Sequence, residues 1–344
     1  MKKVLFLLFV VASIIMSIMS SHCMENSLAV QVGAFSHRGC AKKPQRDRFD
    51  IKRVRGSIGC AVFDGNGGDE VSHMLKRDFF GTVMFWLVNQ NKKVEGALKK
   101  AIKISEYDAN DCESYEKMAA QGSSLLVSWF EPEFGTGHVV TVGDSVAILI
   151  GSNKMTMTPV HRPEHFASQI KARKFTASQS IGDAVYKGQK SREAISEPAV
   201  FPYTAQDGDY LILATKGLYD VLGSSAGDES EKYTDFQQLF SRVLGLSDEN
   251  FNKLYPLSQN ITLESEKSGS SASSSEEELS HEVELKNVTQ DTHTQQIAKR
   301  LVQVALSRGS KDNITVIVSA FTGNRDNDYA DTSASTSDDL HGVD

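Results

Sequence analysis

Apolar and polar positions along the chain alternate between a strand period and a helix period. From Ser57 to Phe63 (SIGCAVF) a short apolar run ends in the turn Asp64-Gly65-Asn66-Gly67-Gly68, which reads as a strand and its exit. Over Val71 to Asn89, residues such as Val71, Leu75, Phe79, Val83 and Trp86 recur at helical spacing and predict an amphipathic helix on a sheet. A further helix is expected over Ala109 to Ala120. Strands are expected at Ser124 to Phe130, at Val139 to Val142 and, beyond Gly143-Asp144-Ser145, at Val146 to Ile150. Such closely spaced strands suggest an antiparallel meander. Tyr210 to Ala214 is another strand. An amphipathic helix from Thr294 to Ser307, a turn from Arg308 to Asn313 and a closing strand from Ile314 to Phe321 complete the pattern. Strands grouped with strands, and helices beside them, argue for a layered α+β domain rather than a parallel nucleotide-binding sheet.

Composition narrows the class. The 344 residues are 40% hydrophobic and 24% charged, with a net charge of −7. That fits one soluble domain with appendages and excludes a general nucleic-acid binder, which needs positive charge to neutralise phosphates. Four cysteines are too few for a disulfide scaffold. Cys60, inside a strand pattern, is expected to be a buried thiol, whereas Cys40 and Cys112 either pair or stay free.

The ends and one insert depart from the globular pattern. Lys2 and Lys3 precede an apolar run from Val4 to Met19, then Ser20, Ser21, His22 and Cys23. This is the tripartite pattern of a cleaved signal peptide over residues 1–23, with an uncleaved anchor as the other reading. Export to the secretory pathway or the extracellular space follows, with no stable membrane span after cleavage. Residues 258–288 contain SEKSGSSASSSEEELS and are expected to form a disordered, solubilising insert. Asn260 and Asn287 lie in glycosylation sequons; Asn313-Ile314-Thr315 also fits the formula but reads as structural. Residues 323–344 read as an acidic tail.

Asp64, Asp144 and Asp312 each sit at a strand end in a glycine-containing turn, a setting that suits hard divalent cations. Singly, each is ordinary turn chemistry. Their order, with the flanking motifs, resembles the metal-dependent serine/threonine protein phosphatases of the PP2C (PPM) family. Arg46-Asp47-Arg48-Phe49 is similar to that family's first acidic motif, and Phe63 to Gly68 to its FDGHGG. Gly122-Ser123-Ser124 is similar to its GST, Val142 to Ser145 to its VGDS, and His161-Arg162-Pro163 stands in the place of DHKP. Ser178 to Asp183 resembles SRSIGD, Leu211 to Leu222 (LILATKGLYDVL) resembles LILASDGLWDVL, and Gly309 to Val318 matches as it stands. The matching segments span nearly the whole region from Gly33 to Phe321, within a phosphatase-like domain over residues 29–322, and the resemblance implies a four-layer αββα sandwich of two antiparallel sheets flanked by helices. It further implies Mn²⁺ or Mg²⁺ at one end and hydrolysis of phosphoserine or phosphothreonine. On that resemblance Asp64 bridges the metals, Gly65 adds its carbonyl, and Asp47 and Asp312 are further metal residues. Asp144 corresponds to an additional, weaker metal site, and Lys42 to the phosphate-gripping position.

The pattern breaks at Lys216, which stands where the family has the metal-binding aspartate of SDGLWD. A charge pair near 4 Å is worth about 4 kcal/mol at an effective dielectric of about 20, so a lysine there turns attraction for a cation into repulsion. Arg46 stands where glutamate is frequent, Asn66 replaces the histidine of DGHGG, which is assigned as the general acid, and Gln179 replaces the arginine of SRSIGD. Lys216 and Arg46 are expected to replace metal charge by pairing with Asp64 and Asp312. The resulting expectation is a pseudophosphatase that binds phosphoserine or phosphothreonine proteins or a kinase-pathway partner. Mn²⁺ or Mg²⁺ is its cofactor if any metal binds, and none otherwise. The alternative is an active Mn²⁺- or Mg²⁺-dependent phosphatase with an altered metal site.

Overall fold

In the computed structural model, which describes residues 27–39, 44–111, 121–152, 154–159, 180–182, 198–223, 229–257 and 292–323, the chain opens with three strands, β1 (Leu28–His37), β2 (Arg48–Val54) and β3 (Ser57–Asn66). Helix α1 (Glu70–Met84) runs into a π-helical turn at Phe85–Asn89 and is followed by α2 (Val94–Asp111). Next come β4 (Gly122–Glu131), β5 (Thr136–Val142), β6 (Val146–Ile150), β7 (Met155–Met157), β8 (Ile181–Gly182), β9 (Ala199–Thr204) and β10 (Tyr210–Ala214). The C-terminal half closes with α3 (Lys216–Tyr219), α4 (Glu229–Gly245), α5 (Asp248–Leu254), α6 (His293–Ser307) and β11 (Ile314–Gly323).

The strands form two antiparallel sheets, one in the order β1-β11-β10-β6-β7 and the other in the order β2-β3-β4-β5-β9, with β8 added to β4. Side chains of β3 alternate between its two faces, and both faces are apolar because both are covered. Ile58, Cys60 and Val62 meet the opposite sheet, while Ala61 and Phe63 meet α1 and α2. Likewise Ile317 and Phe321 of β11 lie between the sheets, and Val316 and Val318 face α6. Three apolar layers therefore separate four layers of structure, the αββα sandwich that the sequence resemblance implies. Helix α6 buries Ile297, Leu301 and Val304, and the Thr292 hydroxyl caps it by accepting from the Gln295 N–H at 3.3 Å.

Two edge strands, β1 and β2, flank one side of the sandwich. Arg53 of β2 donates to the Val30 carbonyl of β1 at 2.8 Å, and the Asp50 carboxylate accepts from the Ile51 N–H at 2.9 Å. Buried Cys60 is a free thiol pushed up to about 12 by desolvation, as its strand position predicts. Cys40 and Cys112 lie outside the described residues.

Several elements differ from the sequence expectation. The helix expected over Ala109 to Ala120 begins much earlier, at Val94, because alanines 97 and 101 carry its buried stripe with Leu98 and Ile102. Residues 112–120 lie outside the described residues. The strand β2 goes unpredicted because an edge strand rich in Arg, Asp and Lys lacks a clean apolar alternation. Strand β11 runs through Gly323, the first residue assigned to the tail. The expected signal segment, the insert over 258–288 and residues 324–344 lie outside the described residues. Among the described residues, no helix is long and apolar enough to cross a membrane.

Candidate functional site

One end of the sandwich collects the acidic residues singled out from the sequence. Asp64 lies near the end of β3, Asp144 in the turn between β5 and β6, Asp312 just before β11, and Asp47 in the connection leading into β2. Antiparallel pairing brings these strand ends together: Asp64 sits opposite Ser124 of β4, and the Ser124 and Ser145 hydroxyls lie 2.7 Å apart.

Asp47 is buried and held from one side. Its Oδ2 accepts from the hydroxyls of Thr215 at 2.8 Å and Thr315 at 3.0 Å, while Oδ1 is buried with no hydrogen-bond partner among the described residues. Thr215 Oγ1 also accepts the Thr315 N–H at 2.9 Å. Burial pushes the Asp47 carboxyl up to about 7, the two threonine hydroxyls oppose that shift, and the nearby Asp312 charge adds to it. The adjacent backbone is equally fixed. Arg46 N–H donates to Asn313 Oδ1 at 3.0 Å, and Ser72 Oγ donates to the Arg46 carbonyl at 2.6 Å.

Asp64 is pushed well above the usual carboxylate range, first by burial and then by the charges of Asp47, Asp144 and Asp312, against which Lys216 acts in the other direction. Asp144 is pushed up to about 6 by burial, opposed chiefly by Lys216. Gly65 admits no side chain: a Cβ there would lie 2.8 Å from both the Arg46 and Gly68 carbonyl oxygens.

Lys216 opens the four-residue helix α3. Its ammonium lies 3.8 Å from Asp144 Oδ2 and 3.8 Å from Asp220 Oδ2. The expected pairing with Asp64 and Asp312 is therefore corrected. A lysine at the first position of α3 faces the β5–β6 turn and its own next turn, and Asp220 lies four residues on. Arg46 is corrected as well. Among the described residues it forms no ion pair, and its part in the site is played by its backbone.

The segment after Lys216 is clamped from behind. Buried Lys232 of α4 donates to the Tyr219 carbonyl at 3.0 Å and lies 4.1 Å above the Tyr219 ring centre. Asp235 of α4 forms a two-pronged pair with Arg308 and accepts the Gly223 N–H at 2.8 Å, and Arg308 also reaches the Val221 carbonyl at 3.1 Å. Lys42, His161-Arg162-Pro163, Gln179 and Asp183 lie outside the described residues. Sequence reasoning missed Thr215, Thr315, Asp220, Lys232 and Asp235. The threonines carried a signal, since each is a hydroxyl at a strand end beside a motif residue.

The sequence profile of the family described as Protein phosphatase 2C matches residues 57–227. This segment belongs to the protein phosphatase 2C family. Its curated relatives include a probable protein phosphatase 2C of rice (Oryza sativa subsp. japonica), 26% identical over 236 residues, covering 62% of this chain and 81% of the relative. A solved serine/threonine phosphatase of S. agalactiae has a TM-score of 0.52 at 14% identity, covering 85% of this chain and 99% of that one. The catalytic domain of the phosphatase PstP, solved in complex with 2 manganese ions, has a TM-score of 0.50 at 16% identity, covering 86% and 100%. These structures share the fold.

Phosphatases of the 2C family generally use Mn²⁺ or Mg²⁺, so the donor set here can be weighed against such an ion. Asp47, Asp64, Asp144 and Asp312 are hard oxygen donors of the right chemistry. Against them, an ammonium sits in ion-pair range of Asp144, and among the described residues no three His, Cys, Asp or Glu side chains group closely enough to hold a metal ion. A protonated lysine cannot donate a lone pair to a cation and repels it. The residues as arranged do not fit a two-metal centre.

Proposed function

We propose that this protein 2C-type chain is a catalytically impaired phosphatase, a pseudophosphatase that acts by binding phosphorylated proteins or a signalling partner after export through the secretory pathway. The observation that supports this reading is the 3.8 Å approach of the Lys216 ammonium to Asp144 Oδ2, at the position where the family pattern has a metal-binding aspartate. Loss of a metal carboxylate removes the means of sharpening a water nucleophile and of neutralising the charge that develops on the phosphoryl group. Asn66 reinforces the reading, because an amide cannot transfer a proton near neutral pH.

The retained carboxylates favour a second reading, an active phosphatase with an altered metal shell. Mn²⁺-dependent hydrolysis of an aryl phosphate and a phosphothreonine peptide separates the two, with Asp64→Asn as the control for contaminants. Turnover equal to that control, with gain by Lys216→Asp, supports the impaired reading. Turnover above it overturns that reading.

A further inference from the structure

The carboxylate end of this sandwich has a charge problem that a metal-free protein must solve. Asp47, Asp64, Asp144 and Asp312 converge there, and Asp220 joins them from the end of α3. Concentrating carboxylates out of water is costly unless a countercharge is built in. Lys216 is a basic side chain in ion-pair contact with this group, 3.8 Å from both Asp144 and Asp220.

Its placement is built rather than incidental. The Lys216 side chain is 16% exposed and that of Asp144 7%, so this contact is largely withdrawn from solvent. The backbone under Lys216 is fixed from three directions. Thr215, just before it, is tied to Asp47 and Thr315. Gly217, just after it, packs so tightly against β11 that a Cβ would lie 2.1 Å from the Asn313 carbonyl oxygen, and its own carbonyl accepts from Ser310 Oγ at 2.8 Å. Beyond it, Lys232, Asp235 and Arg308 hold residues 219–223. A backbone so fixed removes one part of the ordering cost of the ion pair, leaving the rotamer freedom of the side chain to be lost.

We propose that Lys216 is a resident, covalently tethered cation that holds Asp144 and Asp220 together and lets the carboxylate end of the fold stand without divalent metal. This rests on the reading of the site as metal-impaired and extends it: what removes catalysis also removes the dependence of folding on metal. The ammonium screens the outer carboxylates, Asp144 and Asp220. Of the inner carboxylates, Asp47 is held instead by the hydroxyls of Thr215 and Thr315.

The test is thermal unfolding of the purified full chain in a chelator and in Mn²⁺, alongside Lys216→Met, Lys216→Arg and Lys216→Asp. A ligand that binds only the folded state raises the melting temperature with its concentration. The wild-type chain is expected to melt at the same temperature in chelator and in Mn²⁺. Lys216→Met keeps the alkyl stem and loses the charge, and should melt about 2–6 °C lower in chelator, the range for losing a partly buried ion pair in a domain of this size. Lys216→Arg should recover most of that loss. Lys216→Asp should melt lower in chelator and regain stability in Mn²⁺. A Lys216→Met protein as stable as wild type, or a wild-type melting temperature that climbs with Mn²⁺, overturns the proposal. Turnover is a separate readout. An inactive protein with an indifferent Lys216→Met variant refutes the tethered cation alone. An active protein that still needs the ammonium in chelator refutes the impaired reading alone.

Discussion

Thr215 donates its hydroxyl to Asp47 Oδ2 at 2.8 Å, a bond that spans 168 positions of sequence and ties the end of β10 to the entry of β2. Through it, the residue before Lys216 and the first acidic residue of the site become one rigid unit. Removing the hydroxyl leaves a buried carboxylate with one donor fewer and strands the Thr315 N–H. Thr215→Val is therefore expected to destabilise the fold by about 2 kcal/mol, measured by urea denaturation, since leaving buried polar groups unpaired costs about 1–3 kcal/mol. Thr215→Ser should lose far less.

Stability should fall as pH rises from about 4 to about 7 in chelator-containing buffer. Asp47, Asp64 and Asp144 all have folded values raised by burial, Asp47 to about 7 and Asp144 to about 6. A carboxyl raised in the folded state binds its proton more tightly there than in the unfolded chain. Its contribution is complete below the ordinary carboxylate value and is lost as pH climbs through the folded one. Melting curves between pH 5 and pH 8 check this: Asp47→Asn should flatten the dependence, and a melting temperature that rises toward pH 8 would sink the assignment.

Asp235 anchors the clamp behind α3. Burial raises its carboxyl, but the hydrogen bond and charge of Arg308 outweigh burial and hold it below the usual range. Asp235→Ala is expected to cost about 1–3 kcal/mol, because it leaves the Arg308 guanidinium and the Gly223 N–H without their acceptor. Hydrogen exchange should speed up over residues 216–223 while β3 and β4 remain protected.

Gly217 has a steric reason to be glycine. A Cβ 2.1 Å from a backbone oxygen cannot be relieved by a side-chain rotation, so α3 or the start of β11 must move. Gly217→Ala should cost about 3 kcal/mol or more, at the severe end of overpacking. Circular dichroism melting tests it; an unchanged melting temperature would mean that α3 is far less tightly seated.

Much of the architecture was legible in the sequence wherever one residue type carried one message. The apolar runs of β3 and β4 emerged because burial on both faces leaves a continuous hydrophobic stretch, and the amphipathic stripe of α6 because burial on one face leaves a period. The edge strand β2 did not, since its outer face is charged. Helices α4 and α5 did not either, although α4 buries Phe236, Leu239, Phe240 and Val243 in a polar-rich sequence. At the site, Asp47, Asp64, Asp144 and Asp312 were readable because carboxylates at strand ends are conspicuous. Their partners were not. Thr215 and Thr315 stand beside motif residues, but their reach to Asp47 is long-range, and no spacing says that Lys216 turns toward Asp144 rather than Asp64. Those facts belong to the register between β10 and β11 and to the angle at which α3 leaves its strand.

The contacts of Arg53 with the Val30 carbonyl and of Asp50 with the Ile51 N–H have a meaning for crowded surroundings. Edge strands offer unpaired amide and carbonyl groups to any passing strand, including those of another copy. Here each edge has one such group already engaged by a charged side chain. A neighbouring molecule that seeks to extend a sheet through β1 or β2 must first dislodge an arginine or an aspartate. At high concentration these two side chains help keep each molecule separate from its own kind.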